Sequence, residues 1–320
     1  MELLTNRATR RIALRMTALP LIAGVELGGT KCICILATGP DDIRDEVRIP
    51  TTTPDETLGA IEATLAKWQD FAAIGIASFG PVSLDREADD YGRITATTKP
   101  GWSNTDVAGR IGKRFGVPLG FDSDVNGAAL GEGAWGAAAD VADHAYVTVG
   151  TGIGVGLVLH DEPVAGLSHA ELGHIRPART PGDDWPGSCV FHGACAEGLA
   201  SGTAIKARTG ISADDLAEDD PAWDLVAEAL AQMLHMVTLT GIPRRIVMGG
   251  GVMVGCPFLF DPVRAKLARS LGGYGALPHL DRMTDFIVPA KLGGDAGPLG
   301  AIVLGRRALD CADRTPFTTP

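Results

Sequence analysis

At 320 residues the chain exceeds the size of one usual hydrophobic core, so one large or two medium domains are expected, and two are favoured. Apolar content is ordinary and aromatics are few, while the 42 glycines fall mostly in clusters at predicted strand ends, which suits an α/β protein with backbone-lined ligand sites. A net charge of −11 argues against a general nucleic-acid surface, and no stretch is long and apolar enough to cross a bilayer.

In chain order, TRRIAL from Thr9 to Leu14, followed by an apolar run, has the look of a twin-arginine export signal. Cleavage after the run would damage VELGGTK, which begins at Val25 inside it. The apolar segment is therefore read as the first core strand, and residues 1–19 as a disordered or mis-started leader with Met16 an alternative start. A cytoplasmic location follows, in which disulfides are not expected.

LIAGVEL and KCICILA, separated by a GGT turn, read as a hairpin of buried strands, with Cys32 and Cys34 on one face as small buried hydrophobes. A helix is expected from Asp55 to Trp68, then a strand AAIGIAS ending in FGPV. Helix NTDVAGRIGKRF should lead to strand VPLGF, and DVNGAALGEGAWG should form a helix capped by Asp122 or Ser123. HAYVTVG and GVGLVLH predict a second hairpin around GTGIG, repeating the first. Trp223 to Leu239 carries a helical apolar stripe, RRIVMGGGV reads as a strand ending in glycines, and GDAGPLGAIVLGRR as a helix near the end.

Between these elements lies a cluster that the rest of the composition does not prepare. Cys189 and Cys195 flank His192 at equal spacing, and His174 stands fifteen residues before Cys189, giving two thiolates and two imidazoles for one tetrahedral Zn²⁺ of the closed, structural kind. Ordinary loop residues are the alternative. Glu171 and Glu197 border the ligands; carboxylates accept hydrogen bonds from paired hydroxyls, so a zinc clip fixing their backbones would preorganise a polyol site.

Two strand-turn-strand motifs, ELGGTK at 26–31 and TVGTGIGVG at 148–156, would let backbone N–H groups and Thr hydroxyls approach an anion closely. Neither is a Walker A loop or a Rossmann fingerprint, because those join a strand to a helix. LGGTK, SFGPV, DVNGAALGE, TVGTGIGVG, ELGH, CAEGLASG, MGGGV and GDAGPLGA occur in the order and spacing of the ROK sugar-kinase family, within the actin-like ATPase superfamily, from about Ala23 to Gly305. TTKPGWSNTDV together with the Cys-x2-His-x2-Cys loop looks most like the bacterial fructokinases of that family.

The resemblance implies an α/β fold of two RNase-H-like lobes with the active site in the cleft between them. Residues 20–122 would form a smaller N-terminal lobe and 123–299 a larger one, with a C-terminal helix at about 300–316 packing back on the first. It implies Asp124 as general base, with Asp122 as a cap or hinge support, and Gly80, Asn104, Ser123, Glu171, His174 and Glu197 at the sugar, His174 through its second ring nitrogen. Gly28, Gly29, Thr30 and Lys31 would form the first phosphate loop, Thr151, Gly152 and Gly154 the second, and Gly249, Gly250 and Gly251 the border of the adenosine. Glu26, where an Asp is commoner, would position Mg²⁺ through water. ATP, Mg²⁺ and structural Zn²⁺ are thus the expected cofactors, a hexose the expected substrate, and a homodimer the expected assembly.

The leading expectation is phosphorylation of D-fructose at O6. A glucose, mannose or N-acetylhexosamine kinase differs from this only in ring contacts around Trp102, Ser123 and Asn104. A sugar-sensing repressor of the same family would need a helix-turn-helix domain ahead of the first phosphate loop, where some 24 residues precede Val25. A non-catalytic sugar-binding module is the third alternative.

Overall fold

The computed structural model describes residues 19–166 and 168–314. Most of the leader, residues 1–18, lies outside the described residues. Strand β1 (Ile22–Leu27) pairs antiparallel with β2 (Lys31–Gly39), the expected hairpin, and β2 with β3 (Asp42–Pro50). Both Cys32 and Cys34 are fully buried there, their sulfurs 3.9 Å apart. Helix α1 (Pro54–Leu65) starts at a capping box: Thr53 accepts from the backbone of Glu56, whose carboxylate accepts in return. It ends three residues before the expected Trp68, whose indole instead donates to Asp45.

Strand β4 (Ala73–Ser78) follows, then a two-residue pair, β5 (Arg93–Ile94) with β6 (Thr105–Asp106). The helix expected from Asn104 begins later, as α2 (Ala108–Phe115). Asn104 has φ 62°, outside helical space, and the Asp106 carboxylate accepts from the Gly109 N–H, satisfying the donor that a longer helix would have used. Strand β7 (Leu119–Ser123) and helix α3 (Asp124–Trp135) come next, with Ser123 as the cap. The strand runs two residues beyond VPLGF because its parallel pairing with β4 continues to Ser78 opposite Ser123.

The second half repeats the plan. Strands β8 (His144–Val149) and β9 (Ile153–Leu159) form an antiparallel hairpin, extended by β10 (Glu162–Pro163). Short helices α4 (Ala196–Ala200) and α5 (Gly202–Thr209) precede α6 (Ala222–Gly241), which buries the apolar stripe read in the sequence. Strand β11 (Arg245–Gly249) leads to α7 (Gly251–Gly255) and α8 (Phe260–Leu271), then α9 (Met283–Phe286), β12 (Ile287–Pro289) and the closing helix α10 (Ala296–Arg314).

The sheet orders are β3-β2-β1-β4-β7 and β10-β9-β8-β11-β12, one topology used twice. In each, an antiparallel hairpin is extended on one side by two parallel strands. Helix α10 lies on the first sheet, against β1, β4 and β7, and α3 lies on the second, against β8 and β9. The two helices cross where Gly300 meets Gly127: a Cβ on either side of that crossing would collide with the neighbouring backbone or Ala77. Glycine permits this close approach, which brings the sheets within one helix layer of each other. Separate apolar cores lie under each sheet.

Candidate active site

Parallel register decides where the chemistry gathers. Leu27, Ser78 and Ser123 are level with one another across β1, β4 and β7, so the segments leaving those strands emerge along one edge. The carboxyl edge of parallel strands is where open α/β sheets bind ligands. Here it carries Glu26 and the turn at Gly28, then Gly80, then Asp124. In the second sheet Thr148 is level with Gly249, which delivers Thr151 and Gly250 to the facing edge.

A cleft of about 630 Å³ opens along this seam, of a size for a small polar ligand. Its walls include Gly80 and Pro81, the segment Ala96 to Thr98, Asp124, Gly154, His169, Glu171, His174 and Glu197, with Val190 and Phe191 at the mouth. A second cavity of about 350 Å³ shares Asp124 and Val125 with the first and adds Glu26, Lys31, Tyr146, Thr148 and Gly249 to Gly251. A third, of about 310 Å³, continues from Gly251 past Thr151, Gly202, Thr203 and Lys206. Asp124 therefore stands in the wall between two cavities.

Asp124 occupies the first position of α3, and its carboxylate accepts from the Val125 N–H at 2.8 Å. A helix N-terminus by itself favours the ionised carboxylate. Burial wins instead, raising its pKa to about 6 against the Val125 hydrogen bond and the positive field of His169, with Glu171 adding to the rise. Glu26 is lifted to about 7 by burial and then by Asp124, with Lys31 and Arg48 opposing. Asp122 is buried, accepting from Ser123 N–H and Asn126 Nδ2, so it secures the strand-to-helix corner.

The residues expected at the sugar divide. Gly80, Glu171, His174 and Glu197 line the cleft. Ser123 does not; it is 1% exposed and its hydroxyl accepts from the Asn126 N–H as the helix cap. Asn104 does not line it either, being exposed on a turn where its carbonyl accepts from Arg93. Trp102 is fully buried with its indole N–H donating to the Thr52 carbonyl, a core residue rather than a ring contact. Ala96, Thr97 and Thr98 take the place expected for them.

Among the phosphate-loop residues, Gly28 closes the first turn by donating to the Lys31 carbonyl, leaving Gly29 and Thr30 exposed at the tip. Only Lys31 of that set lines the second cavity. Thr151 faces the third cavity, and Gly152 lies where a Cβ would press on the Glu197 carboxylate at 2.6 Å. Gly154 faces the first cleft, backed by Val125. Gly250 has φ 88° and sits against Val149 and Thr148, a position that only glycine fills without strain. Gly202, Thr203 and Lys206 were missed; CAEGLASG was legible as a motif, but its helix-turn-helix corner with Thr151 was not.

At the cleft mouth the four donor atoms of His174, Cys189, His192 and Cys195 lie within 4.8 Å of one another, the one such cluster among the described residues. Cys189 Sγ is 3.8 Å from His174 Nδ1 and 3.7 Å from His192 Nδ1, and Cys195 Sγ is 3.6 Å from His174 Nδ1. A tetrahedron with ordinary Zn–S and Zn–N bonds has edges of about 3.4–3.8 Å, so the residues fit one zinc ion. His174 turns Nδ1 toward the sulfurs and Nε2 toward Glu171, at 3.9 Å. Glu197 accepts from the Ile153 N–H at 3.1 Å, which anchors it to β9.

A carboxylate facing two cavities can take a proton from a hydroxyl in one while a phosphate chain occupies the other, and the duplicated sheets with their helix layer place it so. The class this defines is the sugar-kinase branch of the actin-like ATPase fold. The chain belongs to the ROK family, which it matches over residues 22–308. It is 41% identical over 289 residues to the fructokinase of Pediococcus pentosaceus, covering 90% of this chain and 99% of that one. Among solved structures it resembles the ROK hexokinase of Thermus thermophilus, with TM-score 0.76 and 26% identity over 92% of this chain and 99% of that one. It also resembles the ROK glucokinase of Streptomyces griseus in complex with glucose and AMPPNP, with TM-score 0.70 and 26% identity over 90% and 99% of the two chains.

Proposed function

We propose that this protein is an ATP-dependent fructokinase that transfers the γ-phosphoryl group of ATP to O6 of D-fructose, releasing ADP and fructose 6-phosphate. The observation that carries the chemistry is Asp124 in the wall shared by the first and second cavities. Similarity chooses the sugar: identity to the fructokinase is 41%, against 26% to the glucokinase.

In this reading fructose occupies the first cleft with O6 toward Asp124, and ATP lies along the second and third cavities. Asp124 accepts the O6 proton as the new O6–phosphorus bond forms and the bond between the γ-phosphorus and the bridging oxygen breaks, leaving ADP. Glu171 and Glu197 accept hydrogen bonds from sugar hydroxyls, and Nε2 of His174 meets another. Lys31 and the Thr151 turn receive the phosphates, and Gly249, Gly250 and Gly251 let the nucleoside lie against bare backbone.

Glu26 fits a hydrated Mg²⁺ arriving with ATP, since its buried carboxyl is already crowded by the charge of Asp124. Such a cation neutralises charge on the β- and γ-phosphate oxygens. Zinc, held by His174, Cys189, His192 and Cys195, would supply rigidity, with every coordination position filled by protein. The proposal includes lobes at 20–122 and 123–299 with the last helix packed on the first, and a homodimeric, cytoplasmic enzyme; the six free cysteines suit that compartment. No helix among the described residues is long and apolar enough to cross a membrane.

The test is a coupled ADP-release assay with Mg²⁺ across fructose, mannose, glucose and N-acetylmannosamine. The highest kcat/KM is expected for fructose, and EDTA should stop turnover until Mg²⁺ is restored. A preference for glucose would overturn the sugar assignment, and no turnover with any of the four would overturn the enzyme.

A further inference from the structure

His169 was not singled out in the sequence, yet it lines the cleft between Gly80 and Glu171. We propose that His169 is a positioning residue for phosphoryl transfer: held as an imidazolium at the junction of the two lobes, it fixes Glu171 toward the sugar and keeps Asp124 in its carboxylate form. The inference rests on the reading of Asp124 as the base.

The hydrogen-bond geometry supports the charged form. His169 Nε2 lies 2.8 Å from the Glu171 carboxylate, an acceptor, so Nε2 carries a proton. Its Nδ1 lies 3.2 Å from Ser168 Oγ, and that hydroxyl donates its single proton to the Val82 carbonyl at 3.0 Å. With its proton so placed the hydroxyl presents a lone pair to the imidazole, which an N–H at Nδ1 matches. This arrangement suits a ring protonated at both nitrogens, with a side chain only 5% exposed.

The charged groups facing the ring are all acidic: Glu171 in its own loop, Asp122 at the end of β7 and Asp124 at the start of α3. Burial alone would lower its pKa, but the Glu171 hydrogen bond and these three carboxylates outweigh burial and raise it. The same field acts in reverse, since His169 lowers the pKa of Asp124 and of Asp122. Besides Asp122, the small lobe brings Gly80, whose Cβ would lie 3.1 Å from the ring, and, through Ser168, Val82. One side chain thus ties the sugar-facing carboxylate, the base and both lobes together.

Two variants separate the charge from the hydrogen bond. His169→Gln keeps an N–H donor for Glu171 without the charge, and His169→Ala removes both. ¹⁵N NMR of the histidine side chains in the intact wild-type enzyme should show one ring with both nitrogens protonated at pH 7.5, absent from His169→Gln. In both variants the acidic limb of kcat/KM for fructose should move to higher pH by about one unit, because Asp124 loses a nearby positive charge. The fructose KM should rise about tenfold in His169→Ala and less than about threefold in His169→Gln, with the ATP KM steady in both.

A neutral ring in the NMR experiment, or an unmoved acidic limb in folded His169→Gln, would overturn the proposal. Should His169→Ala fail to fold, His169→Gln still decides it. Failure of wild type to phosphorylate fructose would instead sink the functional reading, while the NMR result would still report the charge on His169.

Discussion

Asp124 and Glu26 line the same cavity, and the Glu26 carboxyl is driven up to about 7 by its burial and then by the charge of Asp124. Asp124 itself sits near 6, so the site holds two carboxyls poised close to neutrality. Groups tuned in this way are common where a proton must be accepted at ordinary pH.

The first prediction concerns pH. A general base works only when deprotonated, so kcat/KM for fructose should fall as pH drops through about 6, where burial places the Asp124 carboxyl. Asp124→Asn keeps size and polarity but cannot take the proton; its turnover should fall by about 10³-fold or more while fructose still binds. Turnover comparable to wild type would remove Asp124 from its role.

The second follows from linkage. The Asp124 carboxyl rises from 3.8 to about 6 on folding, so the native state binds the proton more tightly than the unfolded chain between those values. Stability is therefore lost as pH rises through that window, and the whole cost is present above about 6. Asp124→Asn should stabilise the protein by up to about 3 kcal/mol at pH 7.5, with the gain shrinking toward zero near pH 4. Urea unfolding at the two pH values checks both the sign and the window.

The third concerns zinc. Wild type should carry about one zinc per chain, and Cys189→Ser or Cys195→Ser should lose it. Glu171 and Glu197 border the ligands in sequence, so loosening the loop should raise the fructose KM about tenfold and leave the ATP KM within about threefold. Stability should fall too, because binding at a closed site is partly folding free energy. A zinc-free wild type with normal fructose affinity would return the cluster to ordinary loop residues.

The fourth separates architecture from recognition at Ser123. Its hydroxyl caps α3 and is buried, so Ser123→Ala should cost about 1 kcal/mol of stability, as loss of a helix cap does. The fructose KM should change less than about threefold, since the side chain does not line the cleft. Thermal melts paired with fructose titrations decide it, and a large rise in KM would restore Ser123 to the sugar site.

The sequence by itself determined what local chemistry controls. Hairpins around GGT and GTGIG, the capped start of α3 and the apolar stripe of α6 depend on neighbours a few residues away, and these elements stand where the residues place them. The His174, Cys189, His192 and Cys195 set was legible for the same reason: its spacing and residue types are those of a tetrahedral site. Motif order revealed the family, and with it Asp124.

Tertiary structure decided what depends on residues far apart in the chain. Asn104 and Ser123 were expected at the sugar, and Trp102 near the ring contacts that separate one hexose from another. Their side chains or backbones are instead committed to a turn, to a helix cap and to Thr52. His169 carried no signal beyond lying two residues before Glu171, because its importance comes from Val82, Gly80 and Asp124, which reach it from 87, 89 and 45 positions away in the numbering. The charge state of Asp124 was likewise beyond local reading. A helix N-terminus favours the carboxylate, but desolvation between two closely packed sheets is a property of the assembled cleft, and it outweighs the local effect.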